Sequence, residues 1–253
     1  MIYSGEDSGS VTDANRTGET TQIGTSAFNE QYNDNAYVGY MYGTPRSDTY
    51  KETHANINDS TIKEILDTWY QNNLLSYADK ISTEQGFCND RRIATSTETW
   101  WRSDTKLGYG ANSTAYAPFS RFLTTNNTWN SMQNPSLKCS QSNDLFTVIE
   151  SSKGNHALIY PVGLITADEV VLAGGFGGIN NSNFYLYTNL NYWTMSPSDY
   201  GSYGRADIFY VSLDGNFYSF YVTDIHGIRP VINLSPNVTI TGSGTTSDPY
   251  KVQ

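Results

Sequence analysis

Three histidines and two cysteines are the side chains of this sequence best suited to nucleophilic or metal chemistry. His54, His156 and His226 are not spaced with one another, with a Cys or with paired carboxylates as zinc ligands are. No G-x-S-x-G segment is present to hold a serine nucleophile. Neither Cys88 nor Cys139 lies in a local signature of a catalytic thiol, although folding could still bring a Cys–His pair together. We therefore expect no enzymatic activity, no metal and no cofactor.

The two cysteines have two interpretations. In an oxidising compartment Cys88 and Cys139 would form one disulfide, closing a loop of roughly 50 residues and adding about 4 kcal/mol to the stability through chain entropy. In the cytosol they would be two free thiols. The composition is poor in charge and rich in Tyr, Asn, Ser and Thr, which is typical of extracellular proteins. We therefore expect the disulfide, and a location outside the cell or on its surface.

The net charge of -10 over 253 residues excludes several classes of partner. A nucleic-acid-binding surface needs clustered Lys and Arg to meet phosphates, and the sequence has no such cluster. The acidic balance also opposes binding to anionic membranes, and no apolar run approaches the roughly 20 residues of a membrane span. Because the first residues lack the features of a signal peptide, we expect any anchor to lie outside this chain.

Aromatic and polar contact is the chemistry that the sequence does offer, and it is concentrated between Ser198 and Ile228. Asp214-Gly215 is a two-residue hairpin signal with β-prone residues on both sides. Many Tyr, Ser, Gly and Asn residues surround it, as in antibody paratopes, where Tyr gives large contact area at low entropic cost. A turn centred there pairs Leu213 with Asn216, Val211 with Tyr218, and Phe209 with Phe220.

That pairing predicts two hairpin faces, because side chains alternate across a strand. A half-buried hairpin ordinarily has one apolar and one polar face, but here both faces carry aromatic residues. Either the hairpin is buried on both sides, or one face presents Tyr and Phe to solvent as binding surfaces often do. One predicted face carries Phe209, Val211, Tyr218 and Phe220, and the other carries Ile208, Tyr210, Ser212, Phe217, Ser219, Tyr221 and Thr223.

The same stretch lacks five residue types that occur elsewhere in the chain. No Lys, Glu, Gln, Met or Trp lies between Ser198 and Ile228. Codons that end in a pyrimidine cannot encode these five types, whereas the types that dominate the stretch are all reached by changing the adenines of an Asn codon. The pattern would follow from adenine-directed mutagenesis. The alternative is that a hairpin rich in Tyr, Gly and Ser lacks the five types by chance.

Ligand contact is therefore predicted from the stretch between Asp199 and His226. Its carboxylates, Asp199, Asp207, Asp214 and Asp224, could also gather around a cation, but turn and rim positions are the ordinary explanation for them. The residues expected to contact a ligand are Asp199, Tyr200, Ser202, Tyr203, Arg205, Asp207, Tyr210, Ser212, Asn216, Phe217, Ser219, Tyr221, Asp224 and His226.

Two helices are predicted to support this stretch. The first begins at Asp59-Ser60-Thr61, with Thr61 and Glu64 as a capping box, and ends near Asn73, with a further helical piece over 74–81. Its apolar stripe is Ile62, Ile65, Leu66, Trp69 and Tyr70. The second helix spans 167–173 behind a capping box of Thr166 and Glu169. The glycines at 174–178 follow that helix, so they serve as its C-cap rather than as a phosphate loop.

The remaining segments are predicted as strands and loops. Residues 5–35 have little periodicity and are expected to form a partly mobile loop, and residues 82–145 are expected to be irregular. Strands are predicted over 37–42, 183–188 and 192–195, and the tail 235–253 is expected to hold a strand, a turn and a short closing strand. We expect one domain over 1–253, with 192–234 as framework strands around the hairpin.

Two flanking segments carry a family resemblance. Y-W-T-M-S-P from Tyr192, and G-I-R-P-V-I-N-L from Gly227 to Leu234, enclose the Tyr-rich hairpin. This arrangement resembles the C-terminal part of C-type-lectin-fold proteins, including the formylglycine-generating-enzyme-like branch and the variable proteins of diversity-generating retroelements. In that branch a Trp-containing strand precedes the variable region, and a strand opening Gly, apolar residue, Arg closes the domain. Upstream, G-F-C-N-D-R and L-I-T-A-D-E-V-V-L-A-G-G are similar to surface proteins of gut-dwelling Firmicutes.

The resemblance implies an α+β fold of the C-type-lectin type, with two short-to-medium helices, small antiparallel sheets and long irregular loops. It does not carry over formylglycine-generating activity, because that activity uses a cysteine pair near the C-terminal end and no Cys follows Cys139. The Glu-Pro-Asn, Gln-Pro-Asp and Trp-Asn-Asp motifs of calcium-dependent sugar binding are also absent.

Three hypotheses about function follow. The first is a receptor or adhesin that binds an unknown protein or glycan on another cell or particle through a diversified surface. The second is a structural subunit of a surface fibre or phage particle, with the hairpin as an assembly interface. The third, with the least support, is an enzyme of the formylglycine-generating type or a hydrolase on this scaffold.

Overall fold

The computed structural model describes residues 1–5, 17–94, 107–123, 133–201, 203–245 and 247–253. It contains few helices and small sheets, so the fold class is α+β. The α-helices are α1 (Tyr50–Thr53), α2 (Thr61–Asn73), α3 (Ala117–Phe122) and α4 (Ala167–Leu172). Short 3-10 helices span Glu19–Thr21, Asn35–Val38, Leu75–Lys80 and Ser142–Asp144.

Twelve short strands occur among the described residues. They are β1 (Thr25–Ser26), β2 (Met41–Tyr42), β3 (Asn58–Asp59), β4 (Phe87–Cys88), β5 (Thr114–Ala115), β6 (Leu145–Phe146), β7 (Tyr192–Tyr200), β8 (Ala206–Val211), β9 (Phe217–Tyr221), β10 (His226–Gly227), β11 (Ile240–Thr241) and β12 (Lys251–Val252). The main sheet has the order β1-β10-β7-β8-β9, and β5 also pairs with β7. Three two-stranded sheets, β2–β3, β4–β6 and β11–β12, complete the set.

The centre of the main sheet is β7, the longest strand, all nine of whose residues are buried. It pairs antiparallel with β8 on one side, and on the other side it pairs parallel with β10 and antiparallel with β5. Trp193 on this strand is fully buried, and its indole Nε1 donates a hydrogen bond of 2.8 Å to the Ser26 carbonyl oxygen. The predicted strand over 192–195 therefore exists, and it continues to Tyr200.

The first predicted helix is confirmed as α2, with a different cap. Its N-cap is Ser60, whose hydroxyl accepts a hydrogen bond from the Lys63 backbone N–H, so the predicted capping box of Thr61 and Glu64 was wrong. Ile62, Leu66 and Tyr70 are buried, and Ile65 and Trp69 pack at the margin of the core. The helical piece that follows is the 3-10 helix Leu75–Lys80.

The second predicted helix is confirmed as α4, capping box included. The Thr166 hydroxyl accepts from the Glu169 N–H, and the Glu169 carboxylate accepts from the Thr166 N–H. The glycines follow the helix as predicted, and Gly174 adopts a positive φ of 96°. In the tail, β11 and β12 form the predicted terminal hairpin.

Two predicted strands were largely wrong because local polar side chains favour turns. In the segment 37–42 the Asp34 carboxylate accepts from the Ala36 N–H and caps a 3-10 helix, so only Met41 and Tyr42 form a strand. In the segment 183–188 the Asn181 side chain accepts from the Asn183 N–H, and turns bury Phe184 and Leu186 without a sheet partner.

Two segments predicted to be loops contain ordered elements. Residues 17–35, the described part of the predicted loop over 5–35, hold the edge strand β1 and the buried Phe28. The described part of 82–145, predicted to be irregular, contains α3 and three strands. Both segments pack against the main sheet, which overrides their weak local pattern.

Buried ion pairs hold the irregular segments together. Arg91 and Asp144 have fully buried side chains, and Arg91 Nε donates to Asp144 Oδ1 over 2.8 Å. The Arg91 amino groups also donate to the Met41 carbonyl and to Asn56 Oδ1, each over 2.9 Å. Three separate parts of the chain therefore meet at one guanidinium.

A disulfide joins Cys88 to Cys139, with the two Cα atoms 5.7 Å apart. It links β4 to a segment that otherwise has little regular structure. The loop it closes spans 51 positions, for which chain entropy gives a stabilisation of about 4 kcal/mol. In the described ranges, no helix has the length and apolar character needed to span a membrane.

Candidate ligand-binding surface

The hairpin of β8 and β9 lies where the sequence predicts it, but its register differs by one residue. Ser212 and Asn216 close a three-residue loop through a backbone hydrogen bond of 2.8 Å from Ser212 N to Asn216 O. Gly215 has a φ of 78°, and a Cβ there would lie 2.0 Å from the Asn181 carbonyl oxygen, so only glycine fits. This three-residue turn replaces the predicted two-residue turn. The pairs are Val211 with Phe217, Tyr210 with Tyr218, Phe209 with Ser219, and Ile208 with Phe220.

A one-residue slip moves every residue of one strand to the opposite face. The first face carries Phe209, Val211 and Phe217 and points into the core. Its rings meet Phe122 of α3 edge to face, with centroids 5.4 Å apart for Phe217 and 5.8 Å for Phe209. Phe217, predicted to face a ligand, is therefore a core residue with 1% of its surface exposed.

The second face carries an aromatic cluster around Tyr210. The Tyr210 ring stacks on His226 with centroids 4.2 Å apart, and His226 lies 4.4 Å from the Trp193 ring. Tyr218, opposite Tyr210 on β9, is 6.2 Å away. This cluster is half-buried, so it connects the core of the sheet with the surface.

The open end of the hairpin presents a stack of one arginine and three aromatic rings, which we call the arginine–aromatic stack: Tyr203, Arg205, Phe220 and Tyr221. The guanidinium carbon of Arg205 lies 3.3 Å from the Tyr221 ring centroid and 4.7 Å from that of Tyr203. The Phe220 ring lies parallel to Tyr221, with centroids 4.2 Å apart. Tyr203 is 70% exposed and Phe220 39% exposed, so the stack forms a solvent-facing surface.

The structure divides the predicted ligand contacts into two groups. Ser202 lies outside the described residues. The side chains that reach solvent wholly or in part are Tyr203, Arg205, Asp207, Tyr210, Ser219, Tyr221 and Asp224. The side chains that are buried, and so do not form the surface, are Asp199, Tyr200, Ser212, Asn216, Phe217 and His226.

The buried group has physical reasons for its burial. Asp199 and Tyr200 lie at the end of β7, between β8 and β5, and are paired on both sides. The Asn216 side chain accepts from the Gly178 N–H and donates to the Tyr218 hydroxyl, which fixes the hairpin tip to the glycine loop. These residues position the surface rather than form it.

Sequence reasoning missed three residues whose side chains reach solvent wholly or in part. The register error placed Phe220 and Tyr218 on the face opposite to that of the predicted contacts Tyr210 and Tyr221. Tyr32 is 48% exposed and borders the open end of the hairpin, where its carbonyl oxygen accepts from the Ala206 N–H. No signal in the sequence connects Tyr32 with the hairpin, because that contact depends on the tertiary fold.

Burial shifts two titrations in the aromatic cluster. Desolvation raises the pKa of the Tyr210 hydroxyl to about 12, with a smaller contribution from Tyr218. Desolvation also lowers the pKa of His226, while the Asp224 carboxylate 3.4 Å away opposes that shift. Neutral His226 is therefore the form that the fold favours, and neither of its ring nitrogens makes a hydrogen bond within the described chain.

We predict that acid destabilises the protein through two histidines. Burial also lowers the pKa of His54 well below its usual 6.5. Below pH 6.5 the two histidines bind protons in the unfolded chain, whereas folded His54 and His226 stay neutral. The free energy of unfolding therefore decreases as the pH is lowered below 6.5, and it does not depend on these groups above that pH. From pH 7.5 to 5.5 we expect the free energy of unfolding to fall by about 1–3 kcal/mol in urea titrations. His54→Gln should remove about half of that difference, and an unchanged or rising stability on acidification would contradict the account.

The described part of the chain contains no group of three or more His, Cys, Asp or Glu side chains arranged to hold a metal ion. Among the hairpin carboxylates, Asp207 forms an ion pair with Arg205 at 3.8 Å, and Asp224 lies 3.4 Å from His226 Nε2. Searches against protein-family models, curated proteins and solved structures each found no match to this chain.

Proposed function

We propose that this protein is a ligand-binding module of the receptor or adhesin type, acting at a cell or particle surface through the open end of the β8–β9 hairpin. The observation that carries the proposal is the arginine–aromatic stack. Large aromatic side chains and Arg are the types that dominate binding energy at protein interfaces. Here one arginine and three rings lie together on the surface of the molecule.

The hairpin that carries the arginine–aromatic stack is held firmly by the core, which favours a binding role for the exposed rings. Phe209 and Phe217 anchor the hairpin in the core against Phe122, and the Asn216 bridge holds its tip. A surface held in this way loses little conformational entropy when a ligand binds. The stretch thus combines fixed inward positions with outward positions that can change without loss of the fold.

We further propose that the scaffold is C-type-lectin-like and that the outward positions are diversified, as in variable proteins of diversity-generating retroelements. The support is the role of the flanking residues. Trp193 is buried at the centre of the sheet. Arg229 donates to the Leu186 and Tyr3 carbonyl oxygens and lies over the Tyr192 ring, as a framework residue would. The absence of five residue types between Ser198 and Ile228 agrees with adenine-directed change.

A second candidate function is an assembly subunit, and one observation favours it. Strand β9 lies at the edge of the main sheet and carries the exposed Phe220. Edge strands can pair with another chain. Concentration-dependent oligomers, measured by sedimentation, that dissociate in Phe220→Asp would support this function over a receptor.

The binding proposal predicts a loss of binding in a double variant, Tyr203→Ala with Tyr221→Ala. Wild-type protein and variant would be applied to a printed glycan array and to a panel of intact bacterial cells. Removing two aromatic anchors should weaken any binding at least tenfold, since each is worth about 2 kcal/mol. The control, Tyr185→Ala with Tyr250→Ala, removes two exposed tyrosines outside the stack and should bind as wild type does. Equal binding by a folded Tyr203→Ala, Tyr221→Ala variant would contradict the proposal.

A further inference from the structure

We infer that Arg205 is the anchor of this surface and that the ligand group it takes is a carboxylate. The inference rests on the proposed function and deepens it by naming the chemistry of the ligand. The arginine–aromatic stack orients the guanidinium, and the charges around it favour a carboxylate over a phosphate.

Two aromatic rings lie next to the Arg205 guanidinium. Tyr221 lies 3.3 Å from the guanidinium carbon, and Tyr203 lies 4.7 Å from it. Stacking of this kind holds the planar group in one orientation through cation–π attraction. A guanidinium stacked on a ring presents its edge, where the N–H donors lie, to an incoming group.

The donors at that edge are not used by the described part of the chain. Arg205 donates no hydrogen bond to any residue there, and its Nε is buried without a partner. The nearest carboxylate oxygen, Asp207 Oδ1, is 3.8 Å from Nε, which is too far for a hydrogen bond. The Arg205 side chain remains 24% exposed. An arginine that is oriented and still accessible differs from Arg91 and Arg121, whose donors are taken up by Asp144 and by Asp90 and Asp168.

Guanidinium edges match two chemical groups, carboxylate and phosphate, through paired N–H···O bonds. The surroundings of Arg205 favour the group of lower charge. Asp207 lies beside it, and the whole chain carries a net charge of -10. Repulsion grows with the charge of the ligand, so a singly charged carboxylate is disfavoured less than a doubly charged phosphate. An acidic sugar and an acidic peptide side chain both supply that carboxylate.

The test follows the side-chain N–H signals of Arg205 by NMR in full-length protein labelled with ¹⁵N-arginine. The carboxylate probes are N-acetylneuraminic acid and triglutamate, the neutral probes are N-acetylglucosamine and triglutamine, and the last probe is inorganic phosphate. We expect at least one carboxylate probe to shift the Arg205 signals saturably. Its neutral counterpart should bind at least tenfold more weakly, and phosphate should bind no more tightly than the carboxylate probe. The carboxylate binding should weaken as NaCl is raised from about 50 to about 300 mM. Saturation by the sugar alone or by the peptide alone identifies the source.

Variants decide whether Arg205 itself is responsible. Arg205→Gln should weaken carboxylate binding at least tenfold. The affinity of Arg205→Lys should lie between those of wild type and Arg205→Gln, because lysine keeps the charge but lacks the planar, two-pronged guanidinium. Arg46→Gln, at an exposed arginine outside the stack, should bind as wild type does. The inference is overturned if neither carboxylate probe saturates, if neutral probes bind equally, or if Arg205→Gln binds as wild type does.

The cell and array experiment separates this inference from the proposed function. Suppose that Arg205→Gln keeps the binding that Tyr203→Ala with Tyr221→Ala loses. The surface then binds its ligand without the carboxylate contact, and only the inference fails. If neither variant weakens binding, the proposed function fails as well.

Discussion

Phe217→Ala will lower the free energy of unfolding by about 3–5 kcal/mol, whereas Phe220→Ala will lower it by less than about 1 kcal/mol. The two residues are three positions apart on the same strand, and the difference comes from the register. Phe217 is 1% exposed and packs on Phe122, so its loss leaves a cavity. Phe220 is 39% exposed, and its ring lies on Tyr221 at the surface. Urea unfolding followed by circular dichroism measures both.

This pair of variants also tests which side chains can face a ligand. A two-residue turn at Asp214-Gly215 would reverse the order, because Phe220 would enter the core and Phe217 would leave it. A larger loss for Phe220→Ala than for Phe217→Ala would therefore contradict the three-residue turn. It would also move Tyr221 to the opposite face together with Phe217, because residues four positions apart on one strand share a face.

Arg91→Ala will lower the free energy of unfolding by about 3–5 kcal/mol, because it leaves the Asp144 carboxylate buried without its partner. Both side chains are fully buried, and desolvation already raises the pKa of Asp144 against the opposing effect of Arg91. The variant also frees the Met41 carbonyl and the Asn56 side chain from their hydrogen bonds. Urea unfolding at pH 7 measures the loss.

The control for this prediction removes both charges. Arg91→Met with Asp144→Leu replaces the pair by apolar groups of similar size, and it should recover most of the lost stability since no unpaired charge remains. If Arg91→Ala alone costs less than about 1 kcal/mol, the pair does not hold the irregular segments together as described.

Helix positions and the site of the hairpin could be predicted from local signals. The apolar stripe from Ile62 to Tyr70 and the capping box of Thr166 and Glu169 depend on residues within one or two turns of each other. Asp214-Gly215 likewise marks a hairpin through its own turn chemistry. Each of these signals acts within a few residues, so the rest of the fold has little power to override it.

The register of the hairpin could not be predicted from the same residues. Asp-Gly suits both a two-residue turn and a three-residue turn with glycine at its last position. The choice is made by tertiary contacts, namely the approach of Asn181 to Gly215 and the Asn216 bridge to Gly178. Both faces of the hairpin are aromatic, so the hydrophobic pattern did not separate the two registers.

The roles of several predicted contact residues depended on the same tertiary information. Asp199 and Tyr200 read as polar and aromatic surface residues, yet β5 pairs with them from a distant part of the chain and encloses them. Arg205 was among the predicted contacts, but its place beside the rings of Tyr203 and Tyr221 follows only from the tertiary fold. The buried pair of Arg91 and Asp144 also lies far apart in sequence and gave no local signal.

Deep sequencing of the codons for residues 192–234 in the source population tests the central claim, that the solvent-facing hairpin surface is diversified for binding. Our account predicts substitutions within codons 198–226 that fall on adenines and concentrate at positions whose side chains reach solvent wholly or in part, such as Tyr203, Arg205, Ser219 and Tyr221. It also predicts that Trp193, Phe209 and Phe217 are spared, because they are buried. Sparse substitutions spread evenly over buried and exposed codons would contradict the claim, and would make the assembly function the better explanation of the exposed aromatic residues.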